Sequence, residues 1–153
     1  MKKEQLLGKI DVAWSALQES YAGLSESQLT EPGVTGEWSV KDILAHVTTW
    51  EEEALHHLPG ILAGKRPPRY ADLYGGIDAF NALKTEENRQ RSLADVLIRL
   101  AETHARLVAY VAAAPEEQFT TDTRFRRRIR LDAYGHYPIH TRAISEWRVS
   151  KGI

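Results

Sequence analysis

The stretch WSVKDILAHVTTW, residues 38–50, begins an amphipathic helix. Ser39 and Asp42 stand three apart, the spacing at which a hydroxyl and an acidic side chain cap the first turn of a helix reciprocally. Apolar residues then recur with helical period as far as Gly64. Because proline lacks the backbone N–H that a helix interior needs, Pro59 predicts a kink or an end near that residue.

Three further amphipathic helices are predicted outside this stretch. They cover about residues 3–24, 77–114 and 132–150. Ser92 predicts a break in the middle one, whereas residues 65–76 and 116–131 are predicted to be a loop and an irregular connection. Four amphipathic helices without paired strands indicate an all-α fold, and we expect an antiparallel four-helix bundle formed as a single domain by residues 1–153.

Composition narrows the classes of function. The chain has no cysteine, so a metal would have to be bound by imidazole or carboxylate groups rather than thiolates. Its formal net charge is −1, which predicts no general attraction to nucleic acid or to an anionic membrane. The N-terminal residues lack the apolar run of a signal peptide, and no stretch is long enough for a membrane span. We therefore expect a soluble cytoplasmic protein without a nucleic-acid or membrane partner.

Two histidines near the C-terminus predict a metal site. In the sequence YGHYPIH, residues 134–140, His136 and His140 are four apart and lie about 40° apart around a helix. His46 is the best third candidate, because it shares the apolar face of the second helix and bundles direct such side chains inward. Three neutral imidazoles would leave coordination positions free on a divalent ion, as in catalytic zinc sites.

Other interpretations of these residues remain open. A single histidine on an apolar face is more often a core residue, and this is the favoured interpretation of His104. If the last helix began only near Tyr137, Pro138 would mark a kinked start and the histidine pair would lose its ideal spacing. Trp50, Tyr134, Tyr137 and His104 are candidates for the lining of a substrate pocket.

Two motifs carry a resemblance to a known family. They are GEWSVKDILAHVTTWE at residues 36–51 and Tyr134-x-His136-Tyr137-x-x-His140-x-x-x-Ile144-x-x-Trp147. Together with residues 88–107 between them, they resemble the DinB-like (YfiT-like) four-helix-bundle superfamily, and most closely its ClbS/DfsB branch. Relatives tend to have an ordinary helix-forming residue where this chain has Pro138.

The resemblance implies a ligand set and a type of activity. In DinB-like proteins one histidine of the second helix and two of the last helix commonly bind nickel or zinc, and the matching residues are His46, His136 and His140. The implied function is a metal-dependent hydrolase or transferase that acts on a small molecule. The alternative is a ClbS-like binding or self-protection protein that acts on reactive compounds without metal. The resemblance also allows a homodimer.

Overall fold

The protein is helical throughout and contains no β-strand. A computed structural model describes residues 1–153. The helices are α1 (Lys3–Tyr21), α2 (Glu26–Leu29), α3 (Val40–Leu62), α4 (Tyr70–Tyr74), α5 (Ile77–Asn88), α6 (Leu93–Ala113), α7 (Glu117–Thr120), α8 (Arg124–Asp132) and α9 (Tyr137–Lys151). None of them is both long enough and apolar enough to cross a membrane.

The four long helices α1, α3, α6 and α9 form a bundle around one apolar core. Lys3 donates from Nζ to the carbonyl oxygens of Ala112 and Ala114 at 2.8 Å each, so α1 begins beside the end of α6. Arg148 donates to the carbonyl oxygen of Ser20 at 3.0 Å, so α1 and α9 end side by side. The predicted all-α four-helix bundle is confirmed, and within it α1 is antiparallel to α6 and runs in the same direction as α9.

Helix α3 starts with the predicted reciprocal cap. The Ser39 hydroxyl accepts a hydrogen bond from the backbone N–H of Asp42 at 3.1 Å, and the Asp42 carboxylate accepts one from the backbone N–H of Ser39 at 3.0 Å. The expected end near Leu58 is not found, because α3 continues through Pro59 to Leu62. Pro59 lies in the final turn, where the proline removes a single intrahelical hydrogen bond.

The connections contain more helix than the sequence predicted. The break at Ser92 is confirmed, because its hydroxyl accepts from the backbone N–H of Asp95 and starts α6. The predicted loop contains α4, however, and the predicted irregular connection contains α7 and α8. Helix α8 forms because Phe125 and Ile129, four residues apart, are buried on one face, where they are 1% and 0% exposed.

Removing the N-terminal cap of α3 should destabilise the protein. Replacing Ser39 by alanine should lower the free energy of unfolding by about 1 kcal/mol, because the N–H of Asp42 loses its partner at a site only 4% exposed. Urea denaturation measures the change. Ser27→Ala is the control, since Ser27 lies within the surface helix α2 and its exposed hydroxyl caps no helix. Equal stability of the two variants would contradict the structural role of the cap.

Candidate metal centre

Three histidines converge where α3 meets the start of α9. The Nε2 atom of His136 lies 3.1 Å from the Nε2 atom of His46 and 2.9 Å from the Nε2 atom of His140. One ligand atom from each of the three side chains lies within 4.8 Å of the others. His140 is 6% exposed and the other two are partly buried. Side chains 90 residues apart in sequence thus meet at one point.

Pro138 does not separate the two C-terminal histidines. Helix α9 begins at Tyr137 and not near residue 132, so Pro138 occupies its first turn. The backbone N–H groups of the first turn have no intrahelical partner, and proline therefore costs no hydrogen bond there. His136 precedes the helix but has φ −93° and ψ −45°, within the right-handed helical region. The spacing of His136 and His140 is therefore still helical, and the expectation that a start at Tyr137 would spoil it is wrong.

The environment keeps all three imidazoles neutral. Burial lowers the pKa of His46 to about 2, and the neighbouring rings of His136 and His140 lower it further in the same direction. Burial likewise lowers the pKa of His140 to about 3 and that of His136 to about 4, the latter opposed by a backbone contact with Asp132. Neutral imidazole is the form that binds a metal.

The arrangement of nitrogen atoms fits a divalent cation. A neutral imidazole nitrogen carries either one N–H or one lone pair, so the Nε2 of His136 cannot make full hydrogen bonds to both His46 and His140. Nitrogen ligands around tetrahedral zinc lie about 3.3 Å apart, given Zn–N bonds of about 2.0–2.1 Å. The observed separations of 2.9 and 3.1 Å are close to that value.

A cavity of about 300 Å³ opens beside His46 and His136. Its other lining residues are Trp50, Tyr70, Ile77, Asn81, Arg128, Leu131 and Asp132. Of the four residues predicted to line a substrate pocket, Trp50 lies in this wall. Tyr134, Tyr137 and His104 lie outside it. The cavity is at the small end of the range for small-molecule sites, about 300–1,000 Å³.

Tyr137 and His104 belong to a buried polar network behind the histidines. Tyr137 is 0% exposed, and its hydroxyl donates to the carboxylate of Glu51 at 3.1 Å. The Nδ1 atom of His104 lies 2.9 Å from the same carboxylate oxygen, and its ring stacks on Trp14 with the centroids 3.6 Å apart. Burial raises the pKa of Glu51, while His104 and Tyr137 oppose that shift. This network fixes the start of α9. Tyr134 is not part of it and packs at the margin of the core.

Sequence reasoning missed a second polar network, which lies along the cavity. Arg128 donates from Nε to Asp132 at 2.5 Å and from Nη2 to the hydroxyl of Tyr70 at 2.7 Å. That hydroxyl in turn donates to Glu53 at 3.0 Å. Burial raises the pKa of Asp132 to about 6, against the effect of Arg128. The i,i+4 spacing of Arg128 and Asp132 is a recognisable signal only once residues 124–132 are known to be helical.

The chain matches a family model and has the same fold as several solved structures. A model described as the DinB superfamily matches residues 9–142. The colibactin self-resistance protein ClbS, solved in complex with a dsDNA, is 19% identical with a TM-score of 0.73, over 95% of this chain and 94% of ClbS. The sibling lethal factor precursor DfsB is 17% identical with a TM-score of 0.82, over 99% of this chain and 97% of DfsB. A Streptococcus pneumoniae protein is 15% identical with a TM-score of 0.80, over 97% of this chain and 91% of that protein. A search of curated protein sequences finds no match.

The sequence-based exclusion of a nucleic-acid partner is wrong. ClbS has the same fold and was solved with a bound dsDNA, so the fold is compatible with such a partner. Net charge is a poor guide here because it sums over the whole surface. The value of −1 conceals the local excess of arginine on α8, where Arg124, Arg127 and Arg130 are exposed.

The lowered histidine pKa values predict how the metal-free protein responds to acid. The unfolded chain, with histidine pKa values near 6.5, binds more protons below that pH than the folded chain, in which the three values are about 2, 4 and 3. The free energy of unfolding should therefore decrease as the pH falls from 7 to 5, by at most about 1.4 kcal/mol per pH unit for each histidine. Asp132, with its raised pKa, acts in the opposite direction.

Two histidine variants isolate the contribution of His140 to this pH dependence of the free energy of unfolding. Urea denaturation with chelator present should show a weaker pH dependence for His140→Asn than for the wild type, whatever the stability of the variant at pH 7. His56→Asn, at an exposed position, should retain the wild-type pH dependence. An unchanged dependence in His140→Asn would show that the histidine is not held neutral in the folded protein.

Proposed function

The chain belongs to the DinB superfamily, and from that premise and the geometry of the site we propose that it is a metal-dependent enzyme of hydrolase or transferase type. Its substrate is a small molecule bound in the cavity beside the histidines. His46, His136 and His140 are the metal ligands, and zinc or nickel is the metal, since imidazole nitrogen suits both. The observation that supports this most strongly is the convergence of three neutral Nε2 atoms on one point.

The lining of the cavity suggests a role for each group next to the histidines. A divalent ion held there would act as a Lewis acid on a carbonyl or similar group. Trp50 forms an apolar wall, and its indole N–H donates to the Asn81 side-chain oxygen at 2.9 Å. That contact fixes the orientation of the Asn81 amide and directs its nitrogen as the available donor to a substrate. Arg128 holds the wall formed by α8 against α4 through its hydrogen bond to Tyr70.

The metal assignment predicts one divalent ion per chain. Protein that has been stripped with chelator and then incubated with zinc or nickel should retain one equivalent after gel filtration, as measured by elemental analysis. His46→Ala and His140→Ala should each lose the ion, because two imidazoles bind far more weakly than three. The bound ion should also raise the melting temperature of the wild type by mass action.

His56→Ala is the matched control for these variants, since it removes an imidazole from the exposed face of the same helix as His46. It should bind the ion like the wild type. Wild-type protein that takes up no ion, or a His46→Ala variant that takes up as much as the wild type, would contradict the proposal. A protein that inactivates a reactive compound equally well with chelator present would instead fit the metal-free self-protection alternative.

A second candidate function is contact with DNA through α8. It is favoured by the bound dsDNA of ClbS and by three exposed arginines on this helix, Arg124, Arg127 and Arg130. Asp122 compensates part of that charge, because it lies 3.4 Å from Arg127 and 4.0 Å from Arg130. Leu131 on this exposed face and Asp132 on the buried face of α8 both line the cavity. The basic surface therefore borders the mouth of the candidate site.

This candidate predicts a salt-dependent interaction. Changing Arg124, Arg127 and Arg130 to glutamine should weaken binding to a dsDNA oligonucleotide, since each lost phosphate contact reduces the slope of log affinity against log salt by about 0.9. Fluorescence anisotropy at several salt concentrations measures both quantities. Glutamine at the exposed Arg66 and Arg142 serves as the control. No binding by the wild type at low salt, or equal losses in both variants, would contradict a role of α8.

A further inference from the structure

The charged groups that line the cavity are already paired with one another. The side chains of Arg128 and Asp132 are 12% and 5% exposed and form an ion pair at 2.5 Å. A second nitrogen of Arg128 donates to Tyr70 at 2.7 Å, and Tyr70 donates to Glu53. A ligand ion would have to disrupt this desolvated network to bind Arg128, and breaking a buried pair is costly. The cavity is therefore poorly suited to a ligand whose main body is charged.

The wall of the cavity is instead aromatic and its mouth is aliphatic. The ring of Trp50 packs against Tyr70 and Phe80, with centroid distances of 5.3 and 5.1 Å. Ile77 at the start of α5 and Leu131 near the end of α8 line the mouth, yet they are 54% and 67% exposed. Covering these two side chains with an apolar ligand would be favourable by the hydrophobic effect.

Three polar side chains of the lining lie outside the Arg128 network and are partly buried. They are those of His46, His136 and Asn81, and Asn81 presents its amide nitrogen because its oxygen is occupied by Trp50. The volume of about 300 Å³ is twice the roughly 150 Å³ of an apolar cavity that holds one benzene ring. A ligand of matching size has a body of two rings and a single polar head.

We propose that this cavity binds an uncharged compound with a two-ring aromatic body and a carbonyl head, the body covering Trp50, Ile77 and Leu131 and the head reaching Asn81 and the histidines. The chemistry at the head rests on the proposed metal-dependent function. Recognition of the body depends only on residues of the apolar wall, so it can be measured without metal.

Calorimetric titration of chelated protein with 2-naphthamide tests the proposal. Acetamide, which has the same head without the body, should bind at least about tenfold more weakly, since tenfold corresponds to about 1.4 kcal/mol and burial of two rings exceeds that. 2-Naphthoate should bind no more tightly than the amide, because Arg128 is already paired. Ile77→Asp and Leu131→Asp should each weaken binding of 2-naphthamide by about fivefold to tenfold.

Ile98→Asp is the matched control, because Ile98 is 56% exposed on α6 and lies outside the cavity. It should bind 2-naphthamide like the wild type. Equal binding of 2-naphthamide and acetamide, tighter binding of 2-naphthoate, or equal effects of the three aspartate variants would overturn the proposal. Repeating the titration after incubation with zinc distinguishes a failure of the proposed ligand from a failure of the proposed metal-dependent function. If no ion is taken up, the proposed enzyme function fails, while the preference for the naphthyl body still decides the inference about the ligand.

Discussion

The candidate site depends on holding three uncharged imidazoles together inside a helical bundle, with the Nε2 atom of His136 within hydrogen-bonding distance of those of His46 and His140. Burial lowers the pKa values of all three rings, and neighbouring rings lower those of His46 and His140 further. They also cannot satisfy one another fully, because each Nε2 atom offers either a donor or an acceptor. A divalent cation resolves both problems by accepting three lone pairs at once. The same arrangement that is awkward for an apolar core is thus well suited to a metal.

Two features place the imidazoles within reach of one another. The capping box of Ser39 and Asp42 fixes where α3 begins, and hence which face of that helix carries His46. The buried carboxylate of Glu51, on the same helix, accepts a hydrogen bond from Tyr137, the residue next to His136. Because His104 lies against the same carboxylate, α3, α6 and α9 are joined at one point behind the site. Side chains outside the cavity beside the histidines thereby set the geometry of the histidine site.

The sequence was sufficient to predict the bundle and the superfamily, and it named the three histidines that the structure brings together, because these follow from local spacing and motif. Ser39 and Asp42 mark a helix start wherever they occur three apart before an apolar pattern, and His136 and His140 are close on any helix. The family match confirms the superfamily, and the all-helical structure confirms the fold class. The cavity could not be predicted in the same way. Its wall includes Tyr70 and Arg128, which come from segments interpreted as irregular and meet Glu53 only through tertiary packing.

His46, His136 and His140 are proposed to bind one ion together. The most direct measurement is anomalous X-ray diffraction from a crystal of zinc-loaded protein, collected on both sides of the zinc absorption edge. We predict one strong anomalous peak, about 2.0–2.1 Å from the Nε2 atom of each histidine. A crystal with bound zinc but no peak among these three rings would contradict it.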